Sequence, residues 1–279
     1  MTDPLLGARL KVERARQHLE TLRHETRVFT EGEPYRFVTE RDPDTGDHVV
    51  RLRVSQPDIP LRLGLIAGDA VHNLRSALDH LAVQLADIGT GAKRSTQFPV
   101  FDDEHEYRLH QDRTLAGIVK GHRARIDALQ PYHVRERVDR GVYLTGRTDP
   151  LLTNLCLMIV ARLDNADKHR LLLRAVGMSR FEQPKFIGVK RATGTYRDPW
   201  VRMDDGAELF RVTEVELLPG ATEMEMKANP SYTILFGDPE TALPVLWSDP
   251  TKGGASRADL ALAADKVQGV IDDFASEFV

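Results

Sequence analysis

The chain has 279 residues, of which 41% are hydrophobic and 29% charged. It is therefore long enough for one or two domains with a real core, and its composition is not that of a disordered protein. The formal net charge of −4 excludes a global positive field, so any contact with nucleic acid or an anionic membrane would have to come from a local basic patch.

The cysteine content and the first residues of the sequence predict where the protein is located in the cell. The single cysteine, Cys156, lies in an apolar run and cannot form an intramolecular disulfide, which favours a reducing environment. The first residues, MTDPLLGARLKVERARQ, carry charge early and lack the apolar core of a signal peptide. No stretch reaches the roughly 18 apolar residues of a membrane span. We therefore expect a cytoplasmic protein with no membrane contact.

The first half of the chain predicts helices around one β-hairpin. Residues 4–26 are rich in helix formers with loosely spaced leucines, and they predict an amphipathic helix. YRFVTE and HVVRLRV, separated by the turn-rich RDPDTGD, predict a hairpin at about 35–56. Residues 63–88 predict a long helix that Gly89 and Gly91 end.

The second half begins with another strong helix, predicted over 151–176 with Asp149 and Pro150 at its start. After residue 177, segments of strand character alternate with Gly and Pro, and residues 255–278 predict a final amphipathic helix. The sequence thus predicts an α+β fold, a helical bundle with an N-terminal β-hairpin and a C-terminal antiparallel sheet plus final helix. We expect a helical domain over 1–176 and a β region with the last helix over 177–279.

The helix predicted at 63–88 carries an unusual polar face. Placing its residues at about 100° each gathers short polar side chains opposite the apolar face, namely Asp69, His72, Asn73, Ser76, Asp79 and His80, with Arg75 at the edge. A solvated face is the ordinary explanation of such a stripe. This one contains no Lys or Glu, and its residues are poor helix formers, which favours a functional or buried role.

A second polar group lies on the helix predicted at 151–176. Asn154, Arg162, Asn165 and His169 share a face, and Asn165 and His169 are four residues apart. The basic run Lys168–Arg170 also suits a helix C-terminus, where cations complement the helix dipole without any further function. The two helices could pack so that their polar edges meet at a shared site.

These residues carry two resemblances. NLRSALDH places Arg75, the polar Ser76 and His80 in an Arg-x4-His arrangement, which resembles the signature of the HEPN-superfamily ribonucleases, proteins built on a helical bundle. The segments GDAVHNLRSALDHLA and LDNADKHRLLL, with their HNLRSALDH and NADKHR motifs, also resemble a widespread set of bacterial proteins, common in actinobacteria, that brings no known activity.

The HEPN resemblance implies an endoribonuclease that needs neither metal nor cofactor. It implies His80 as general base on a ribose 2′-hydroxyl, Arg75 as the group that stabilises charge on the phosphate, and His72 as a third catalytic residue. It also implies a homodimer with RNA as substrate. The residues expected to bind or orient that substrate are Asn73, Ser76, Asn165, Lys168, His169 and Arg170.

Two alternatives remain open from the sequence. In a non-enzymatic protein that binds a partner through its sheet half, Asp, Asn and His residues would form a buried structural network, made of Asp69, Asn73, His80, Asn165 and His169. A metal site is the other, with Asp69, His72, His80 and His169 as its ligands. The sequence contains no HExxH or paired-cysteine motif, so we predict no metal.

Overall fold

The computed structural model describes residues 3–55, 58–139, 149, 151–170, 174–180, 185–196, 200–202, 204–222, 224–227, 231–237 and 255–278. Its helices are α1 (Leu6–Glu31), α2 (Leu61–Asp87), α3 (Glu104–Thr114), α4 (Lys120–Ala128), α5 (Tyr132–Asp139), α6 (Leu152–Arg170) and α7 (Arg257–Asp273), followed by a 3₁₀ turn, Ala275–Phe278. Its strands are β1 (Tyr35–Arg41), β2 (His48–Val54), β3 (Arg174–Arg180), β4 (Lys185–Ile187), β5 (Val189–Tyr196), β6 (Trp200–Arg202), β7 (Glu208–Leu217), β8 (Glu225–Lys227), β9 (Ser231–Gly237) and β10 (Ala255–Ser256). The predicted α+β class, with its hairpin, antiparallel sheet and final helix, is confirmed.

The chain divides into two compact units. A helical unit contains Met1–His24, Leu61–Arg174 and Phe236–Val279, and a sheet unit contains Glu25–Pro60 and Ala175–Leu235. This differs from the predicted division at residue 177. The hairpin belongs with the later strands because β2 pairs with β7, and the last helix belongs with the helices because α7 packs against α2 and α6.

The core of the helical unit follows the apolar faces read from the sequence. The face of α2 that is buried includes Leu74, Leu78, Leu81 and Leu85, which are fully shielded from solvent. Helix α7 buries Leu260, Val267, Val270, Ile271 and its C-cap Phe274 in the same way. Its first turn is closed by a capping box between Ser256 and Asp259. No helix in the described part of the chain combines the length and the apolar character that crossing a bilayer requires.

One helix boundary differs from the prediction. Helix α6 ends at Arg170, and residues 174–180 form a strand, whereas the helix was expected to reach about 176. The intervening run is purely apolar, so its pattern cannot separate a helix from a strand. Helix α5 begins directly after Pro131, whose carbonyl accepts hydrogen bonds from Val134 and Arg135. Proline suits the first turn of a helix as well as the end of one.

The sheet unit is built on a four-stranded antiparallel sheet in the order β1-β2-β7-β5. The predicted hairpin is confirmed, with Tyr35 opposite Val54 and Arg41 opposite His48. One face of this sheet carries the buried side chains of Tyr35, Val50, Leu52, Phe210 and Val212, and Val49 is buried on the other face. A second sheet places β3 between β9 and β6, and β4 pairs with β8.

A glycine in β5 is required by the packing of an aromatic ring. A Cβ atom at Gly194 would lie 2.2 Å from Cζ of Phe210, a buried side chain on the neighbouring strand. Gly194→Ala should therefore lower the free energy of unfolding by about 1–3 kcal/mol, because the ring has to leave its position. Gly269→Ala is the control, since its Cβ would meet nothing within 4 Å, and it should raise stability by about 0.5–1 kcal/mol through helix propensity. Chemical denaturation measures both changes, and equal effects would refute the packing argument.

An ion-pair cluster that the sequence did not suggest joins the strands β2 and β7 and the hairpin turn. The Arg211 guanidinium on β7 donates to Asp42 at 2.7 Å, Asp47 at 2.9 Å and Glu208 at 2.8 Å. Arg51 on β2 joins the same group through Glu208 at 3.4 Å. Arg211 thus links the turn of the hairpin to β7.

This cluster predicts a pH dependence of stability. Hydrogen bonds from Arg211 are the main reason that the pKa values of Asp42 and Asp47 lie below the ordinary range. Their stabilising contribution is therefore present above the ordinary carboxyl pKa of about 4 and is lost as the pH falls through the lowered values. Arg211→Gln should lower the melting temperature at neutral pH and much less at about pH 2. A difference between variant and wild type that does not change with pH would contradict this account.

Candidate functional site

The polar edges of α2 and α6 meet at an aspartate. Nδ1 of His72, on α2, lies 3.1 Å from Oδ1 of Asp164, on α6, and Nζ of Lys168 lies 2.5 Å from the other oxygen, Oδ2. The carboxylate is buried, with 2% of its side chain exposed, whereas 58% of the His72 side chain is exposed. A buried anion therefore holds two groups that reach solvent, and we call His72, Asp164 and Lys168 the His–Asp–Lys cluster.

This geometry sets the proton on the imidazole. An ionised carboxylate can only accept hydrogen bonds, so the neutral His72 ring carries its proton on Nδ1 and donates it to Asp164. Nε2 is then the free base. A histidine held in this way can take a proton from a bound group, and its orientation is fixed by the aspartate.

A small residue permits the close approach of α6 to α2 beside the cluster. A Cβ atom at Gly68, on α2, would lie 2.7 Å from Oδ1 of Asp167, on α6. The carboxylate of Asp167 therefore lies against the backbone of α2, and a side chain at Gly68 would force this carboxylate to shift.

The Arg75 side chain binds other groups of the helical unit. Its Nη2 donates to the Phe98 carbonyl at 2.7 Å and lies 3.2 Å from Oδ1 of Asp79, and the same Asp79 oxygen accepts from the Phe98 amide at 3.0 Å. Burial raises the pKa of the Asp79 carboxyl, and Arg75 and the Phe98 amide act against that rise. Arg75 and Asp79 together clamp the segment around Phe98 onto α2.

His80, the other residue of the Arg-x4-His motif, contacts a different element. It is exposed, and its Nδ1 lies 3.0 Å from the position of a Cβ on Gly7, on α1. Arg75 binds the segment at Phe98 instead. The structure therefore directs the two motif residues to separate contacts, and it brings His72, the third predicted catalytic residue, to a carboxylate.

The predicted substrate-binding residues are spread along the two helices. Asn73 donates to the Asp69 carbonyl on its own helix at 2.8 Å, Ser76 is half-buried, and Asn165 is exposed. Lys168 belongs to the His–Asp–Lys cluster. The side chains of His169 and Arg170 lie outside the described residues.

The buried network expected from the sequence needs a correction in its members. Asp69, His80 and Asn165 are exposed, because they lie on the outer sides of their helices. The buried polar contacts are made by other residues. Nδ2 of Asn154 donates to the carbonyls of Ala128 and Gln130 at 2.9 and 3.0 Å.

Gln130 is the centre of that buried set, and its side chain is fully shielded from solvent. Its Oε1 accepts from the Phe101 amide at 3.1 Å, and its Nε2 donates to the carbonyls of Pro99 and Ile126, both at 3.0 Å. Together with Asn154, it binds backbone groups of the segments around α4, among them the Phe101 amide and the Pro99 carbonyl. These residues hold the fold and present nothing to a ligand.

The described residues offer neither a metal site nor a cysteine nucleophile. Among them, no three His, Cys, Asp or Glu side chains converge as metal ligands would. Cys156 is buried, and burial raises the pKa of its thiol to about 12, so it is not a nucleophile. A second His–carboxylate pair in this unit joins His122 to Glu277 at 3.0 Å, but the His122 imidazole is mostly covered, whereas His72 reaches solvent.

Sequence reasoning missed Asp164, the residue on which the cluster depends. A signal was present, because Asp164 and Lys168 are four residues apart on a helix and so form an i, i+4 ion pair. The contact from Asp164 to His72 joins residues 92 positions apart, and no helical spacing contains that information.

No protein-family model matches the chain, and none of the curated proteins or solved structures compared with it matches either. The HEPN likeness therefore rests on the motif residues alone and stays a prediction.

Proposed function

We propose that the chain is a metal-independent endoribonuclease whose general base is His72. The observation that carries the proposal is the exposed imidazole bound through Nδ1 to a buried aspartate that also holds Lys168. The Arg-x4-His likeness supplies RNA as the substrate class. The geometry supports moving the role of base from His80 to His72, since the described residues hold no carboxylate against His80.

The reaction uses the two exposed side chains of the cluster, His72 and Lys168. Nε2 of His72 takes the proton of a ribose 2′-hydroxyl, the 2′-oxygen bonds to phosphorus, and the bond from phosphorus to the 5′-oxygen breaks. Solvent protonates the departing oxygen. The Lys168 ammonium lies on the other side of the same carboxylate and offsets the negative charge that develops on the phosphate. The products are a 2′,3′-cyclic phosphate and a 5′-hydroxyl.

The test is incubation of the full chain with mixed cellular RNA in EDTA, beside Asp164→Asn. Wild type should produce fragments that end in 2′,3′-cyclic phosphate. The variant should be slower, because an amide can turn its N–H to the ring and favour the tautomer with the proton on Nε2. Equal cleavage by both proteins would refute the assigned role of the aspartate, and circular dichroism of the variant controls for folding.

A second candidate is a binding protein without catalysis. It is favoured by the position of Arg75, whose guanidinium is bonded to the Phe98 carbonyl and paired with Asp79 inside the fold. An arginine used as a clamp is not free to stabilise a phosphate. Intact RNA after incubation with a correctly folded wild-type protein would make this the better account.

A further inference from the structure

A groove of about 620 Å³ opens on the sheet unit, where β1, β2 and β7 meet the segment that follows β7. Neither the motif residues nor the His–Asp–Lys cluster belongs to it. Pockets that hold small molecules typically measure about 300–1,000 Å³, so this groove has room for a ligand of that class.

A row of side chains across three strands forms one end of the groove. Arg41 on β1 lies opposite His48 on β2, and His48 lies opposite Val212 on β7. Paired residues on adjacent strands share a face, so Arg41 and His48 lie together on the groove side. Within the described residues, neither the Arg41 guanidinium nor the His48 imidazole has a hydrogen bond or ion pair. At this end of the groove, the N–H groups of Arg41 and His48 are therefore available to donate hydrogen bonds to a ligand.

The nearby carboxylates do not pair with Arg41, because they bind other arginines. Glu40 pairs with Arg51 at 2.7 Å and Arg53 at 3.0 Å, and Asp47 pairs with Arg211 at 2.9 Å. The groove thus contains a guanidinium that has no ion pair of its own, beside carboxylates that bind other arginines. Such a site favours an anionic ligand, and a guanidinium binds phosphate through two parallel hydrogen bonds.

The other end of the groove is apolar. Val215 and Leu217 from β7 and Met224 from the following segment line it. Val215 is exposed and Leu217 and Met224 are half-buried, so apolar surface is available to a ligand. A ligand that fills the groove therefore needs an anionic group at one end and an apolar or flat ring portion at the other.

We propose that this groove binds a small phosphorylated molecule with a ring portion, the chemistry of a nucleoside monophosphate. The phosphate binds Arg41 and His48, and the ring lies on Val215, Leu217 and Met224. Threonine hydroxyls along the groove, such as that of Thr39, are available to the polar middle of the ligand. This binding site is independent of the proposed ribonuclease activity.

Calorimetric titration of the full chain with adenosine 5′-monophosphate tests the proposal, with adenosine and inorganic phosphate as partial ligands. The monophosphate should bind at least about tenfold more tightly than either partial ligand, because only it engages both ends of the groove. Arg41→Gln should reduce its affinity to that of adenosine. Arg36→Gln is the matched control, since Arg36 is exposed on the opposite face of the same strand, and it should leave binding unchanged.

Three results would overturn the proposal. One is no binding of the monophosphate at millimolar concentration, and another is an equal loss in the Arg41 and Arg36 variants. The third is loss of binding in Lys168→Gln with no effect of Arg41→Gln, which would place the nucleotide at the helical unit instead. The Lys168→Gln variant thus distinguishes binding in this groove from binding at the proposed catalytic site.

Discussion

Replacing His72 by Gln is expected to slow RNA cleavage by about 10²–10⁴-fold, because general-base catalysis contributes that much and glutamine cannot take the proton. The side chain is mostly exposed, so the variant should fold like wild type. The measurement is the initial rate of cleavage of a labelled RNA in EDTA, with the melting temperature of each protein recorded beside it.

Two further histidine variants make this experiment decisive. His105→Gln is the control, since His105 is exposed on the first turn of α3, and its rate should equal that of wild type. His80→Gln separates the two assignments of the base. A loss of cleavage confined to His80→Gln would support His80 as the base, as the Arg-x4-His motif implies, and would contradict the role of His72. A loss of cleavage confined to His72→Gln would support His72 as the base.

Gln130→Leu is expected to lower the free energy of unfolding by about 2–4 kcal/mol. The leucine fills a similar volume but removes three hydrogen bonds, and it leaves the Phe101 amide and the Pro99 carbonyl buried without their partner. Each unpaired buried group costs about 1–3 kcal/mol. Urea denaturation followed by circular dichroism measures the change.

The matched control for this variant is Gln17→Leu on the exposed face of α1, which should change stability by less than about 0.5 kcal/mol. Similar effects at the two positions would show that Gln130 does not organise the segments around α4. The hydrogen-bond account predicts a difference several times larger than the error of the measurement.

The sequence predicted what local periodicity determines. The hairpin followed from two β-rich runs around RDPDTGD, and the structure pairs them from Tyr35 to Arg41 against His48 to Val54. The apolar face of α2 followed from helical spacing, and its leucines are buried. Such patterns work because one residue in two, or three to four residues in seven, must face the core.

Contacts between distant segments could not be predicted. The pairing of β2 with β7 joins segments about 160 residues apart along the chain, and it moves the hairpin into the sheet unit. The same limit applies to the site. His72 was recognised from the composition of its helix, but the carboxylate that orients it comes from α6.

Buried polar groups were also misassigned for a physical reason. A polar stripe on a helix shows which residues share a face but not whether another element covers that face. Asp69 and Asn165 remain exposed, while Asn154 is buried because the segments around α4 pack over it and supply carbonyls for its amide. Burial of a polar side chain depends on its partners, which the one-dimensional pattern does not contain.

The most direct test of the proposed function uses a matched pair of RNA oligonucleotides with the wild-type protein in EDTA. One is all-ribose, and the other carries hydrogen in place of the 2′-hydroxyl at the position where the first is cut. We expect cleavage of the first, with a 2′,3′-cyclic phosphate end, and no cleavage of the second at that position. Failure to cleave the all-ribose oligonucleotide, or cleavage of both at the same position, would contradict an endoribonuclease in which His72 activates the 2′-hydroxyl.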